Sequence, residues 1–129
     1  MTQEEKELLL IDLCARLPYM PKIKITYQQQ GIKGTDEGRV SCDFIEKIVN
    51  DLRNGVITDM QIYLRPMSSM TEEEYKEYRN IDNLSYSCPI EYAHIPASRR
   101  IDWLNANHFD YRGLIEKGLA LEAPEGMYK

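Results

Sequence analysis

Between Leu17 and Lys22 the hydrophobic period of the chain changes from that of a helix to that of a strand. Upstream, Leu9, Leu10, Leu13 and Leu17 recur at helical steps and predict a helix over residues 3–16. Downstream, Ile23, Ile25 and Tyr27 alternate with Lys24 and Thr26, the pattern of a half-buried strand over 22–28. Pro18 stops the helix, because its ring and missing N–H cannot continue the ladder, and Pro21 keeps the next stretch extended. Thr2 and Glu5 have capping-box spacing; Glu4, Glu5 and Glu7 suit the positive end of the helix dipole and Arg16 the negative end.

The same two periods recur along the chain. QGIKGTDEG at 30–38 carries Gly31, Gly34 and Gly38 and predicts a mobile hairpin loop leading into a strand near 39–42. Residues 43–54 predict a second helix with Phe44, Ile45, Ile48, Val49 and Leu52 on its apolar face and Gly55 just past its end. Residues 56–65 alternate through Met60, Ile62 and Leu64 as a strand, closed by Pro66. Thr71 and Glu74 form a second capping box. The charged helix that follows, over 72–78, offers only Tyr75 and Tyr78 as apolar surface and belongs on the outside. Residues 80–96 are ambiguous, with a short strand expected at 84–87 or 90–93. Two further helices are expected, at 98–107 with Ile101, Leu104 and Trp103 inward, and at 111–117 ended by Gly118. The tail reads as a short strand followed by a frayed end. The expected fold is α+β: a small, mainly antiparallel sheet packed against several helices.

At 129 residues the chain suits a single domain spanning 1–129. Its net charge of −5 comes from 21 acidic and 16 basic residues. Such a balance disfavours non-specific nucleic-acid binding, which rests on many Lys and Arg contacts, and suits a basic protein partner. No apolar run approaches the roughly 20 residues of a membrane helix, and the acidic start is neither a signal nor a transit peptide. A cytoplasmic location is therefore expected. Cys14, Cys42 and Cys88 have no metal spacing and are expected as reduced thiols, mostly buried.

No motif commits the chain to catalysis. Lys33 precedes Gly34 rather than Ser or Thr, so the glycine segment is not a phosphate loop, and Asp36 and Glu37 would repel phosphate. No calcium-loop spacing is present. His94 and His108 lack HxxxH spacing and would bind metal only with a partner such as Asp102 or Asp110. A polar surface or helix-end role is the stronger expectation for both. Cys88, His94 and Asp102 are the residue types of a nucleophile, base and orienter, but triads are defined by geometry and no local signature supports one. No catalytic residue, metal or cofactor is assigned.

The richest segment is 99–112. Arg99, Arg100, Trp103, His108, Tyr111 and Arg112, with Phe109 among them, are interface-anchoring types that also stack on bases. The competing reading makes Trp103, Phe109 and Tyr111 core residues joining two helices. Nine tyrosines, including Tyr75, Tyr78, Tyr86 and Tyr92 in polar surroundings, allow a binding surface or simply cover a small core.

Three stretches, MTQEEKELLLIDLCARLPY, YLRPMSSMTEEE and DWLNANHFDYRGLIEKGLALEAPEGMYK, cover residues 1–19, 63–74 and 102–129. They resemble a group of small uncharacterised proteins from gut Bacteroidales genomes and their phages or other mobile elements. The resemblance implies a bacterial cytosolic setting and an accessory protein borne by a mobile element; it assigns no activity or site residue. The functional expectation is a non-enzymatic interaction module with a protein partner. The first alternative is a small hydrolase or transferase using Cys88, His94 or His108. The second is nucleic-acid binding through Arg99, Arg100 and Arg112.

Overall fold

The computed structural model describes residues 2–81 and 95–128. The described elements are α1 (Gln3–Arg16), β1 (Lys22–Gln29), β2 (Ile32–Arg39), α2 (Ile45–Arg53), β3 (Ile57–Leu64), α3 (Glu72–Asn80), α4 (Ile95–Ala106) and β4 (Ala120–Glu122). The sheet order is β2-β1-β3-β4. β1 pairs antiparallel with both β2 and β3, and β4 runs parallel to β3. This is the α+β architecture expected, with one parallel edge.

Both capping boxes form. Thr2 Oγ1 accepts from the Glu5 amide at 3.1 Å while Glu5 accepts from the Thr2 amide at 2.8 Å, and Thr71 and Glu74 repeat the exchange at the start of α3. α1 turns Leu9, Asp12, Leu13 and Arg16 inward. Leu9 and Leu13 join Ile23, Met60, Ile62 and Leu64 of the sheet, Ile48 and Leu52 of α2, and Leu114, Leu119 and Ala120 of the C-terminal segment in one apolar cluster. Alternation along β1 and β3 supplies the sheet's half of this cluster. The opposite face is polar, with Lys22, Glu37 and Tyr63 linked there: Tyr63 Oη donates to Glu37 at 2.8 Å, and the Lys22 ammonium lies 3.9 Å from the same carboxylate.

The glycine segment is not a loop. Only Gln30 and Gly31, both at positive φ (52° and 79°), turn the chain, and Ile32–Arg39 is strand β2, zipped to β1 along its whole length. Two consecutive left-handed residues give the two-residue turn whose twist matches a hairpin. Glycine inside the strand has a packing reason: Gly34 lies opposite Tyr27, and a Cβ there would collide with the Tyr27 ring and hydroxyl. The aromatic ring covers the bare backbone of its neighbour.

Four other expectations change. Residues 111–117 form turns rather than a helix. Gly113 takes φ 73°, and the Asp110 carboxylate caps the segment by accepting from the Leu114 and Ile115 amides at 2.8 and 3.0 Å. α4 spans Ile95–Ala106, beginning before residue 98. On it Leu104 is buried as expected, but Ile101 is exposed rather than inward. The tail does form β4, but its end is docked rather than frayed: Tyr128 Oη donates to the Tyr63 carbonyl at 2.6 Å and accepts from the Lys22 amide at 3.0 Å. The strands expected at 84–87 or 90–93 lie outside the described residues, as do Tyr86, Cys88, Tyr92 and His94. No helix among the described residues is long and apolar enough to cross a membrane.

Candidate functional site

α4 ends in a Schellman turn. The Phe109 amide donates to the Leu104 carbonyl at 2.9 Å and the His108 amide to the Asn105 carbonyl at 3.1 Å, with His108 at φ 62°. That position is usually glycine, and His is one of the few side chains that visit it. The turn delivers His108–Asp110 alongside the end of β3, where the Arg65 amide donates to the His108 carbonyl at 2.7 Å and the Asp110 amide to the Arg65 carbonyl at 2.8 Å. Most of the aromatic and arginine residues of 99–112 are thereby turned toward the protein itself.

His108 is at the helix end, as one expectation had it, but it is buried, not on the surface. Its imidazole stacks on Tyr128 with centroids 3.6 Å apart. Burial, and then the positive charges of Arg16, Arg39 and Arg65, push its pKa down to about 4, so the ring is neutral at pH 7. Trp103 stacks on Phe109 at 5.7 Å and meets Tyr78 of α3 at 5.6 Å. Arg65 lies 4.2 Å from the Phe109 ring centre and Arg100 lies 5.0 Å from that of Tyr78, so a ladder of aromatic rings has a guanidinium at each end. Arg65 is held in turn by both oxygens of Glu74, at 2.7 and 2.8 Å. Those hydrogen bonds, aided by the Thr71 amide and opposed by burial, hold the Glu74 carboxyl down at about 2. Arg99 is exposed.

Tyr111 and Arg112 belong to a second internal arrangement that the sequence did not disclose. Asp12 and Arg16 of α1 are both fully buried. Arg16 Nε and Nη2 donate to the two Asp12 oxygens at 2.8 and 3.1 Å, and Nη2 also donates to the Phe109 carbonyl at 2.6 Å. Arg112 Nη1 reaches Asp12 from outside at 2.7 Å. The Tyr111 ring lies beneath both guanidiniums, and its hydroxyl donates to Asn105 at 2.9 Å. One signal could have pointed to this: Asp12 and Arg16 sit one helical turn apart within the stripe of Leu9 and Leu13, where a polar pair has to be paired to itself.

The residues considered for catalysis do not meet among the described residues. Asp102 is exposed, and both Asp110 oxygens are taken by backbone amides. Cys14 and Cys42 are free thiols and exposed, not buried as expected: the first falls on the outer face of α1, the second in the short turn before α2. Among the described residues no cluster of three His, Cys, Asp or Glu could hold a metal ion.

Beside an open concavity of about 550 Å³ between Lys22, Glu37 and Arg39 and the C-terminal segment at Pro124 and Met127, two more lie among the described residues. One, of about 630 Å³, lies between Arg65, Glu74 and Asn107 on one side and the C-terminal segment through Glu122, Glu125 and Tyr128 on the other; its walls mix these polar groups with Pro66, Ala123 and Met127. The second, of about 260 Å³, is an apolar groove between β2 and α2. Ile23, Ile25 and Ile57 line it together with Val40, Phe44 and Ile48. It exists because β2 carries Gly34, Asp36 and Gly38 on the face where β1 carries Tyr27, Ile25 and Ile23, so little side-chain volume covers that end of the sheet. Phe44 stands at its rim with 59% of its surface exposed. β2 is also the edge of the sheet, with its outer backbone groups unpaired among the described residues. The chain matches no protein-family model, no curated protein sequence and no solved structure.

Proposed function

We propose that the protein is a non-enzymatic interaction module, an accessory protein of a phage or other mobile element acting in the bacterial cytosol, and that it engages a protein partner through the groove and strand edge at β2. The observation that carries this reading is the coincidence, at one place, of an apolar slot, an exposed Phe44 and a strand edge whose outer amides and carbonyls have no strand partner among the described residues. Extended polypeptide binds such places by adding a strand, with backbone hydrogen bonds giving affinity and the apolar slot giving selectivity. The cellular setting rests on the resemblance of the terminal and central segments alone.

The aromatic and arginine residues at 99–112 support a different role in this reading. Trp103, His108, Tyr111 and Arg112 are engaged by Phe109, Tyr128, Asn105 and Asp12 and act as supports of the fold, leaving Arg99 exposed at the start of the segment.

A photo-reactive phenylalanine analogue placed at position 44, and separately at position 103, tests the reading in cells. Discrete protein adducts from position 44 and none from 103 are expected. Adducts from 103 alone would move the docking surface back to the helical side, and none from either position would overturn the module reading.

A further inference from the structure

Resting on that reading, we infer that the partner taken by the β2 edge is a second copy of this chain, joined in a two-fold antiparallel pairing about Thr35. The first support is backbone geometry. The two-residue turn makes Gln29 and Ile32 the hydrogen-bonded closing pair of the hairpin. Alternation then points the amides and carbonyls of Ile32, Gly34, Asp36 and Gly38 toward β1, and those of Lys33, Thr35, Glu37 and Arg39 outward. A two-fold axis normal to the sheet keeps each face on its own side, so a residue can oppose only residues of its own face.

Centring the axis on Gly38 opposes Glu37 and Arg39 but pairs only three residues of β2, so charge selects among the registers centred further inside the strand. Centring the axis on Asp36 sets Asp36 against its own copy and Lys33 against Arg39. Centring it on Glu37 sets two carboxylates against each other. Centring it on Thr35 sets Lys33 opposite Glu37 of the second copy, twice by symmetry, with Thr35 opposite Thr35 between them. Opposite charges and Thr–Thr pairs are favourable cross-strand neighbours, whereas like charges directly opposed are not. Lys33, Thr35 and Glu37 are all exposed in the single chain, where Glu37 accepts from Tyr63 on one oxygen and has Lys22 3.9 Å from the other.

Shape selects the same register independently. Among the described residues Ile32 is the most exposed of the large apolar side chains, at 66%. In the pairing centred on Thr35 it falls opposite Gly38 of the second copy. Gly38 has open space where a side chain would stand, and it lines the apolar groove with Val40 and Phe44. Each chain therefore places its exposed isoleucine at the mouth of the other's groove. The product is a continuous eight-stranded sheet, four strands from each copy, and the contact is isologous and closed.

The experiment is light-scattering mass measurement after size exclusion, on the full chain and on the charge-reversal variants Lys33→Glu and Glu37→Lys. The wild type is expected at twice the 15.1 kDa chain mass. Each variant alone sets like charges opposite each other and is expected to raise the dimer Kd about 10- to 30-fold. An equimolar mixture of the two variants sets opposite charges against each other again at both contacts and restores a dimer. Ile32→Asp, which changes only exposed surface of the single chain, is expected to give a folded monomer with the wild-type circular dichroism spectrum and a Tm that no longer rises with protein concentration. A monomeric wild type overturns the self-pairing, and so do charge variants whose dimer Kd, read from the mass on serial dilution, equals that of the wild type, or a mixture whose Kd is not restored. The module reading is judged separately: a monomeric wild type whose position-44 adducts contain a different protein overturns only the second copy.

Discussion

Arg16 and Asp12, one turn apart on α1, form an ion pair in which both side chains are wholly excluded from solvent, with Nε and Oδ2 2.8 Å apart. Arg112 adds a second guanidinium to the same carboxylate, with its own side chain still 24% exposed. The pair links α1 to the turn after α4 through the Phe109 carbonyl. Burying two charges is expensive, and their attraction offsets that cost only while the set is complete. Asp12→Ala leaves Arg16 buried without its carboxylate and is expected to cost about 3–5 kcal/mol in urea denaturation. Arg112→Ala removes only the partly exposed arm and is expected to cost about 1 kcal/mol. Equal losses for the two variants would contradict this division.

The environment of His108 makes stability depend on pH. Its folded pKa, about 4, lies below its ordinary value of 6.5, so between these limits the unfolded chain binds more protons than the folded one. Stability from this residue is complete above pH 6.5 and is lost as pH falls toward 4. An NMR titration of the His108 ring should show it neutral at about pH 6, and His108→Gly should flatten the acid limb of stability over this window. Glycine also accepts φ 62° without strain, whereas alanine does not. His108→Ala is therefore expected to be less stable than His108→Gly by about 1 kcal/mol. A His108 pKa near its ordinary 6.5 would show that the ring is solvated.

Tyr27 and Gly34 are coupled across the β1–β2 hairpin. Alanine ordinarily stabilises a strand relative to glycine, because glycine loses more backbone entropy on folding. Here a Cβ would meet the Tyr27 ring, and Gly34→Ala is expected to destabilise by about 1–3 kcal/mol. In a Tyr27→Ala background the same change should be neutral or favourable. Additive effects in this double-mutant cycle would show that the ring does not lie over the glycine.

Local physics made much of the fold readable in advance. The capping boxes at Thr2 and Thr71, the helical stripe of α1, the alternation of β1 and β3 and the breaks at Pro18 and Pro66 depend on residues within a few positions of each other, so the chain itself determines them. Where a distant partner sets the outcome, composition misleads. Gly34 and Gly38 resemble loop residues, yet the ladder with β1 and the covering Tyr27 ring make their segment a strand. Residues 111–117 have helix-like composition, yet Asp110 and Gly113 fold them into turns before the sheet's last strand. The aromatic and arginine residues at 99–112 have interface composition, and only tertiary packing turns Trp103 onto Phe109 and Arg112 onto Asp12, far away in the chain. The sequence by itself determined the α+β class, α1, β1 and β3, and the capped starts of α1 and α3, because hydrophobic period and capping are local. Tertiary structure decided which charges are buried, which glycines sit in a strand and where an apolar groove opens, because those depend on contacts between residues far apart in the chain.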